Sequence, residues 1–258
     1  MQIGRCALCL KDGVELQKSH YVSAGVNRIV GQDRGPVVMT PELFISTSKQ
    51  VKDHLLCRNC EQAFSKKGEN YVIPLLSQGQ NNFPLLELLK AARSLGRGQS
   101  GSLVFSGPRV GIDTDKLAYF ALSMFWRASV HSWKTLKGQT TSSSLRAYEE
   151  PIRKFLNGET GWPPGVVIKI SVCTDPLSQG SVFPPVEWSN DVYTGYEMTV
   201  LGIRFTMVVG VQPGAKEWDL CCVNSKDRLI FVEDCAEASR DHYLDLRENA
   251  RIAENLVK

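Results

Sequence analysis

Cys6-Ala7-Leu8-Cys9, Ser19-His20-Tyr21-Val22-Ser23 and Leu55-Leu56-Cys57-Arg58-Asn59-Cys60-Glu61 are the three pieces of sequence that decide how the first quarter of this chain folds. The first and third each carry two cysteines separated by two residues. That spacer lets both sulfurs of a pair face one ion, and two such pairs supply four thiolates, enough to close a tetrahedral zinc site. Cys6, Cys9, Cys57 and Cys60 are therefore read as ligands of one structural zinc, and His20 is left for another task. Unpaired structural thiols and disulfides are the alternatives. Met1-Gln2-Ile3-Gly4-Arg5 leads straight into the first pair with no apolar leader segment, so a cytoplasmic chain with reduced thiols is expected. The longest apolar stretches, such as Val208-Val209-Gly210-Val211, are too short to span a bilayer, and no membrane partner is expected.

Working outward, Asp12-Gly13 reads as a turn that delivers Val14–Gln17 and then His20 on a strand. Residues 24–50 are a long insertion rich in turn formers, with a short strand expected at Val37–Met39. Leu55-Leu56-Cys57 feeds a helix over Cys60–Lys67. Leu85, Leu86, Leu88, Leu89 and Ala92 recur at helical spacing within 84–95. Gly96–Ser102 holds glycine and serine and is read as a linker. Asp113-Thr114-Asp115 suits the positive start of an apolar helix that runs to about Trp133. A second helix is expected over Ser142–Asn157, broken or kinked at Pro151 and stopped at Gly158.

From Val166 the period changes to that of strands: Val166–Val172, then Met198–Val209 with a bend at Gly202, then Trp218–Val223 and Leu229–Val232, with a turn at Asn224–Asp227. Ala236–Leu256 reads as a closing amphipathic helix. The expected class is α+β: residues 1–95 as a zinc-knuckle ββα-type module with a trailing helix, and residues 103–258 as a helical and antiparallel-sheet domain. Cys173, Cys221, Cys222 and Cys235 lack the paired spacing and read as core thiols. The aromatic-rich helix around Tyr119, Phe120, Phe125 and Trp126 reads as a core helix rather than a base-stacking surface. Arg127, a charge inside that apolar stretch, demands a partner. His131 and His242 read as ordinary helix histidines, and His54 as a structural or surface histidine or an extra ligand.

Charge is uneven. Residues 1–100 carry 13 Lys/Arg against 8 Asp/Glu, a net of +5, and the remainder carries a net of −2. The cysteine-bearing half is thus the basic half, which suits nucleic acid. Walker, GxGxxG, GxSxG and HExxH patterns do not occur in a supporting context.

Over residues 5–70 the chain resembles the zinc-containing branch of HNH (His-Me finger) endonucleases. The resemblance rests on Cys6-x-x-Cys9, Ser19-His20-Tyr21-Val22-Ser23 and Leu55-Leu56-Cys57-x-x-Cys60-Glu61. It implies a ββα unit flanked by knuckles and a metal-dependent endonuclease. His20 would be the general base toward a water attacking phosphorus, and Glu61 a ligand of a catalytic magnesium or manganese ion. The sequence departs from the family pattern at Ser19, where an acidic ligand is usual, at Ser23, where proline is usual, and at Lys52-Asp53, where asparagine is usual. Asp53 or Glu69 could supply a replacement carboxylate, which the fold would have to bring to His20 and Glu61. The implied partner is nucleic acid, DNA ahead of RNA, in a bacterial defence or mobile-element setting. The second domain would recognise, regulate or dimerise, through a second copy or another protein. The alternative is a catalytically degenerate zinc-stabilised module that binds nucleic acid or protein.

Overall fold

The computed structural model describes residues 2–30, 37–40, 43–46, 51–79, 82–98, 100–134, 140–141, 143–237 and 239–240. A small three-stranded sheet is built from β1 (Gln2–Gly4), β2 (Val14–His20) and β3 (Lys52–Cys57), in the order β1-β2-β3 and antiparallel throughout. Gly4 pairs with Val14, so Cys6–Cys9 lies in the loop that joins the first two strands. Leu16 pairs with Cys57, which brings the second cysteine pair to the same end of the sheet. Helix α1 (Ala24–Val30) follows β2.

Helix α2 (Arg58–Phe64) begins at the residue after β3, two residues earlier than expected, and α1 and the strands Val37–Thr40 and Leu43–Ser46 stand between β2 and β3. The helical backbone then continues through a π-turn at Ser65–Glu69 and the short turns of Asn70–Leu75. The wider turn changes which residues face inward, and it puts Glu69 and Gly68 on the buried side. A Cβ on Gly68 would sit 3.1 Å from the backbone nitrogen and Cα of Phe120, so a larger residue would push the two helices apart by a few tenths of an ångström. Helix α3 (Pro84–Lys90) is shorter than its apolar pattern suggests and buries Leu85, Leu86 and Leu89.

The long helix α4 (Thr114–Val130) is the axis of the molecule. Asp113 caps it by accepting from the Lys116 amide at 3.1 Å, as its sequence implies. It ends before His131, and Trp133 belongs to a two-residue strand pairing with 140–141. Helix α5 (Glu149–Asn157) starts later than expected, which places Pro151 in its first turn. There a missing amide costs no hydrogen bond, so the expected kink is absent. Gly158 ends it in the left-handed conformation, φ 79°.

The larger sheet has seven strands: β4 (Gly96–Arg97), β5 (Leu103–Ser106), β6 (Val166–Cys173), β7 (Val182–Ser189), β8 (Thr194–Val200), β9 (Ile203–Val209) and β10 (Leu229–Glu233). Their order across the sheet is β7-β8-β9-β6-β10-β5-β4. The expected antiparallel meander is corrected to a mixed sheet, because β6 and β10 run parallel. The expected long strand 198–209 is two strands joined at Leu201-Gly202, both with positive φ (44° and 90°), a primed hairpin turn. The expected strand at 218–223 is a short 3-10 turn at Lys216–Leu220, lying over the outer face where Cys221 packs on Val167 and Val211. Gly96–Arg97 is an edge strand paired with β5. Of the expected closing helix, residues 236–237 and 239–240 are helical; the rest, with His242, lies outside the described residues.

Helix α4 joins the two sheets. One side packs on the large sheet, with Phe120 against Phe205 (ring centroids 5.9 Å) and Phe125 against Tyr196 (6.4 Å). The other side meets α2, with Tyr119 and Trp126 each 6.1 Å from Phe64. One continuous cluster of buried apolar side chains runs from Leu8, Leu16 and Leu56 through α4 to Ile168 and Ile203. The aromatics of α4 are core, as expected. No helix among the described residues is long and apolar enough to cross a membrane.

Candidate metal centre and the polar web beside it

Cys6, Cys9, Cys57 and Cys60 converge at the shared end of the small sheet, with all four sulfurs within 4.8 Å of one another. Cys6 and Cys60 are buried, Cys9 and Cys57 half-buried. The Cys9 and Cys57 sulfurs are 3.9 Å apart. A tetrahedral ion with bonds of about 2.3 Å requires sulfurs about 3.8 Å apart, so the set fits zinc in size and in ligand chemistry. The first loop folds tightly around its sulfurs: the Leu10 amide donates to the Cys6 carbonyl at 2.9 Å and the Cys6 amide to the Lys11 carbonyl at 3.0 Å, with Leu10 at φ 61°. The Cys57 amide donates to the Cys6 sulfur at 3.3 Å, a contact that favours a thiolate. The Cys6 thiol is pulled down to about 4, first by the hydrogen bond from Cys60 and against desolvation. Cys60 is pushed up by the same contact. A bound cation would displace the thiol protons.

Two arginines fasten this module to the rest of the chain. Arg153 of α5 is 6% exposed; its Nη1 donates to the Leu8 carbonyl in the first loop at 2.5 Å and to Glu159 at 2.8 Å, and its Nε to Glu150 at 2.7 Å. Arg127 of α4 is 1% exposed. It donates to Glu69 Oε1 at 2.9 Å, to the His20 carbonyl at 3.3 Å and to the Ser123 carbonyl at 3.3 Å, and its guanidinium lies over the Phe64 ring. The partner that its sequence demanded is Glu69, with the end of β2.

Those contacts locate the other candidate site residues. Ser19, fully buried, donates its hydroxyl to Glu61 Oε1 in the first turn of α2. The position where an acidic ligand is usual and the position of the candidate metal carboxylate are therefore in contact, beside Cys60. His20, next along the strand, is half-buried and pairs with Lys52 across the sheet. Glu69 is held by Arg127 and by the Ser65 hydroxyl at 3.2 Å. Asp53 accepts from the His54 amide at 2.7 Å and pairs with His131 Nε2 at 2.9 Å. Among the described residues, Glu61, Glu69 and Asp53 do not join a cluster of three metal-ligating groups. His54 lies 3.9 Å from Asp53 and is not one of the cysteine set. His131 sits past the end of α4, its ring edge-on to Trp133 at 4.9 Å.

The signal for the Glu69–Arg127 pair was half visible, as a charge in an apolar helix; its partner depends on a π-turn that sequence patterns do not announce. Comparison with family models, with curated proteins and with solved structures returns no match.

Proposed function

We propose that residues 2–79 form a zinc-stabilised ββα finger that cleaves nucleic acid in the manner of HNH endonucleases. The reading is supported by one contact above all: Ser19 on β2 and Glu61 on α2 touch next to the cysteine cluster, so the strand that carries His20 and the helix that carries Glu61 meet at one point. Zinc would be held by Cys6, Cys9, Cys57 and Cys60 and would supply rigidity, fixing the strand-to-helix joint. His20 would take a proton from the attacking water. Glu61 would hold a magnesium or manganese ion, which when bound stabilises charge on the phosphate. Exposed Lys11, Lys18, Arg58, Lys66 and Lys67 supply the cationic surface on the same module.

A second reading is a binding module without catalysis. What favours it is that Glu61, Glu69 and Asp53 each already have a protein partner. A plasmid-nicking assay, run on DNA and on RNA with magnesium and with manganese, separates the two. Endonuclease activity lost in both His20→Ala and Glu61→Gln is expected. Activity that persists in both variants places the chemistry elsewhere. Nucleic-acid binding without cleavage selects the second reading.

A further inference from the structure

A second group of thiols lies far from the knuckles. Cys173 ends β6, Asp175 caps the short helix Pro176–Gln179, and Cys235 stands two residues past β10. Because β6 and β10 are parallel neighbours, with Cys173 opposite Glu233, their carboxyl ends arrive together. One ligand atom from each of Cys173, Asp175 and Cys235 lies within 4.8 Å of the other two, and all three residues are buried.

The polar atoms here are poorly served by the protein. Asp175 is 6% exposed; Oδ1 accepts from the Ser178 amide at 2.8 Å, while Oδ2 is buried with no partner among the described residues. An unpaired buried carboxylate oxygen is costly unless a donor or a cation meets it. Cys173 lies 4.0 Å from the Ser171 carbonyl and Cys235 3.8 Å from the Glu233 carbonyl, and Cys173 also meets the Cys235 thiol and the Ser178 side chain. Arg204 reaches Ser239 at 3.4 Å, and Ser239 in turn bonds Ser178 at 2.7 Å.

We propose that Cys173, Asp175 and Cys235 form a second metal site, for a divalent ion of the zinc class. Two thiolates select a borderline-soft ion over magnesium or calcium. Zinc bonds of about 2.3 Å to sulfur and about 2.1 Å to oxygen put ligand atoms about 3.6–3.8 Å apart, so groups that lie within 4.8 Å of one another need close by no more than about 1.2 Å on binding. Two thiolates and a carboxylate around a divalent ion leave one negative charge, which the half-buried Arg204 guanidinium, itself paired with Glu197 at 3.4 Å, would offset in part. A water or one of the serine hydroxyls completes the fourth position. The ion would staple residues 234–240 to the end of β6, where otherwise the Ser178–Ser239 and Arg204–Ser239 hydrogen bonds hold them.

The test uses the full chain, purified reduced, loaded with zinc(II) and freed of loose metal. Native mass spectrometry of the wild type is expected to show two ions. Cys235→Ser and Asp175→Asn are each expected to show one, and both keep the four knuckle cysteines. Cobalt(II) titration of the wild type is read in parallel, so that a variant that fails to fold does not decide the matter. It should show two binding steps, one with thiolate-to-cobalt absorption close to half that of the other, as two sulfurs against four require. Saturation of the wild type at one ion, retention of the second ion in both variants, or a single cobalt step overturns the site. So does a 2 Da mass loss with Cys173 and Cys235 blocked to alkylation, which would mean a disulfide. The outcome is independent of whether the finger cleaves nucleic acid.

Discussion

The three-stranded sheet and the seven-stranded sheet differ in what lies against them. The central strands of the large sheet are mostly buried; β6 is buried at seven of its eight positions and β9 at four of its seven. It has α4 on one face and the 211–221 segment on the other. The small sheet has β1 exposed at two of three positions and β2 buried only at Leu16 and Ser19. The apolar residues it does bury, with Leu55 and Leu56 of β3, belong to the core that runs through α4, and by themselves they make a small unit. At one end lies the four-cysteine cluster, which could hold a metal ion, and at the junction two buried arginines. The large sheet is held by burial; the small one shares that core and adds charge at the junction and a cysteine set fit for a metal ion, and α4 serves both.

Metal removal should break this contrast most sharply. Stripping the protein with a strong chelator, or Cys57→Ser, is expected to unfold residues 2–20 and 52–79 while the large sheet persists. Structural zinc contributes on the order of 10 kcal/mol of apparent binding energy to a module of this kind. Hydrogen exchange followed by mass spectrometry reads the two regions separately. Equal protection of the small sheet with and without metal would refute the coordination argument.

The contrast also explains which parts were legible in the sequence. The knuckles are local, so their two-residue spacers and the Asp12-Gly13 turn could be read directly. So could the Asp113 cap and the Gly158 stop, each of which acts within one helical turn. The hairpin at Leu201-Gly202 was missed because 198–209 is apolar on both sides of it, and a leucine at positive φ carries no turn signal. The parallel pairing of β6 with β10 was missed because sheet order is set by packing, not by neighbouring residues. The Cys173, Asp175 and Cys235 group was missed for the same reason: 62 positions separate the two cysteines. At the candidate catalytic site, Ser19 and Glu61 were identified singly, but their contact needs the strand-to-helix joint to form.

The junction itself gives the second prediction. Arg127→Met keeps much of the side-chain volume and removes the charge, leaving Glu69 at 15% side-chain exposure without its partner. Breaking a buried pair from one side costs about 3–5 kcal/mol. Arg127→Met combined with Glu69→Gln should recover part of that loss, because no unpaired charge remains. Chemical denaturation of the two variants and the double variant measures the coupling. A double variant no better than Arg127→Met alone would mean that the lost contacts to His20 and Ser123 carry the effect, not the charge pair.

The smallest effect is expected where the small sheet meets solvent. Burial pushes the Asp53 carboxyl up, but the His54 amide and the His131 ring outweigh it, and the net shift is downward. A carboxyl lowered in the folded state stabilises the fold at pH values above its unfolded pKa of about 3.9, and that stability is lost as pH falls through the folded value. The Asp53 side chain is 44% exposed, so screening limits the ion pair with His131 to below about 1 kcal/mol. Asp53→Asn should therefore lower stability slightly at pH 6, where the carboxylate is charged, and the difference should shrink as pH falls through the lowered folded value. Denaturation midpoints across that range test the sign. A difference that instead grew as pH fell would show that the Asp53 contact to the His54 amide, rather than its charge, ties β3 to the start of the joint.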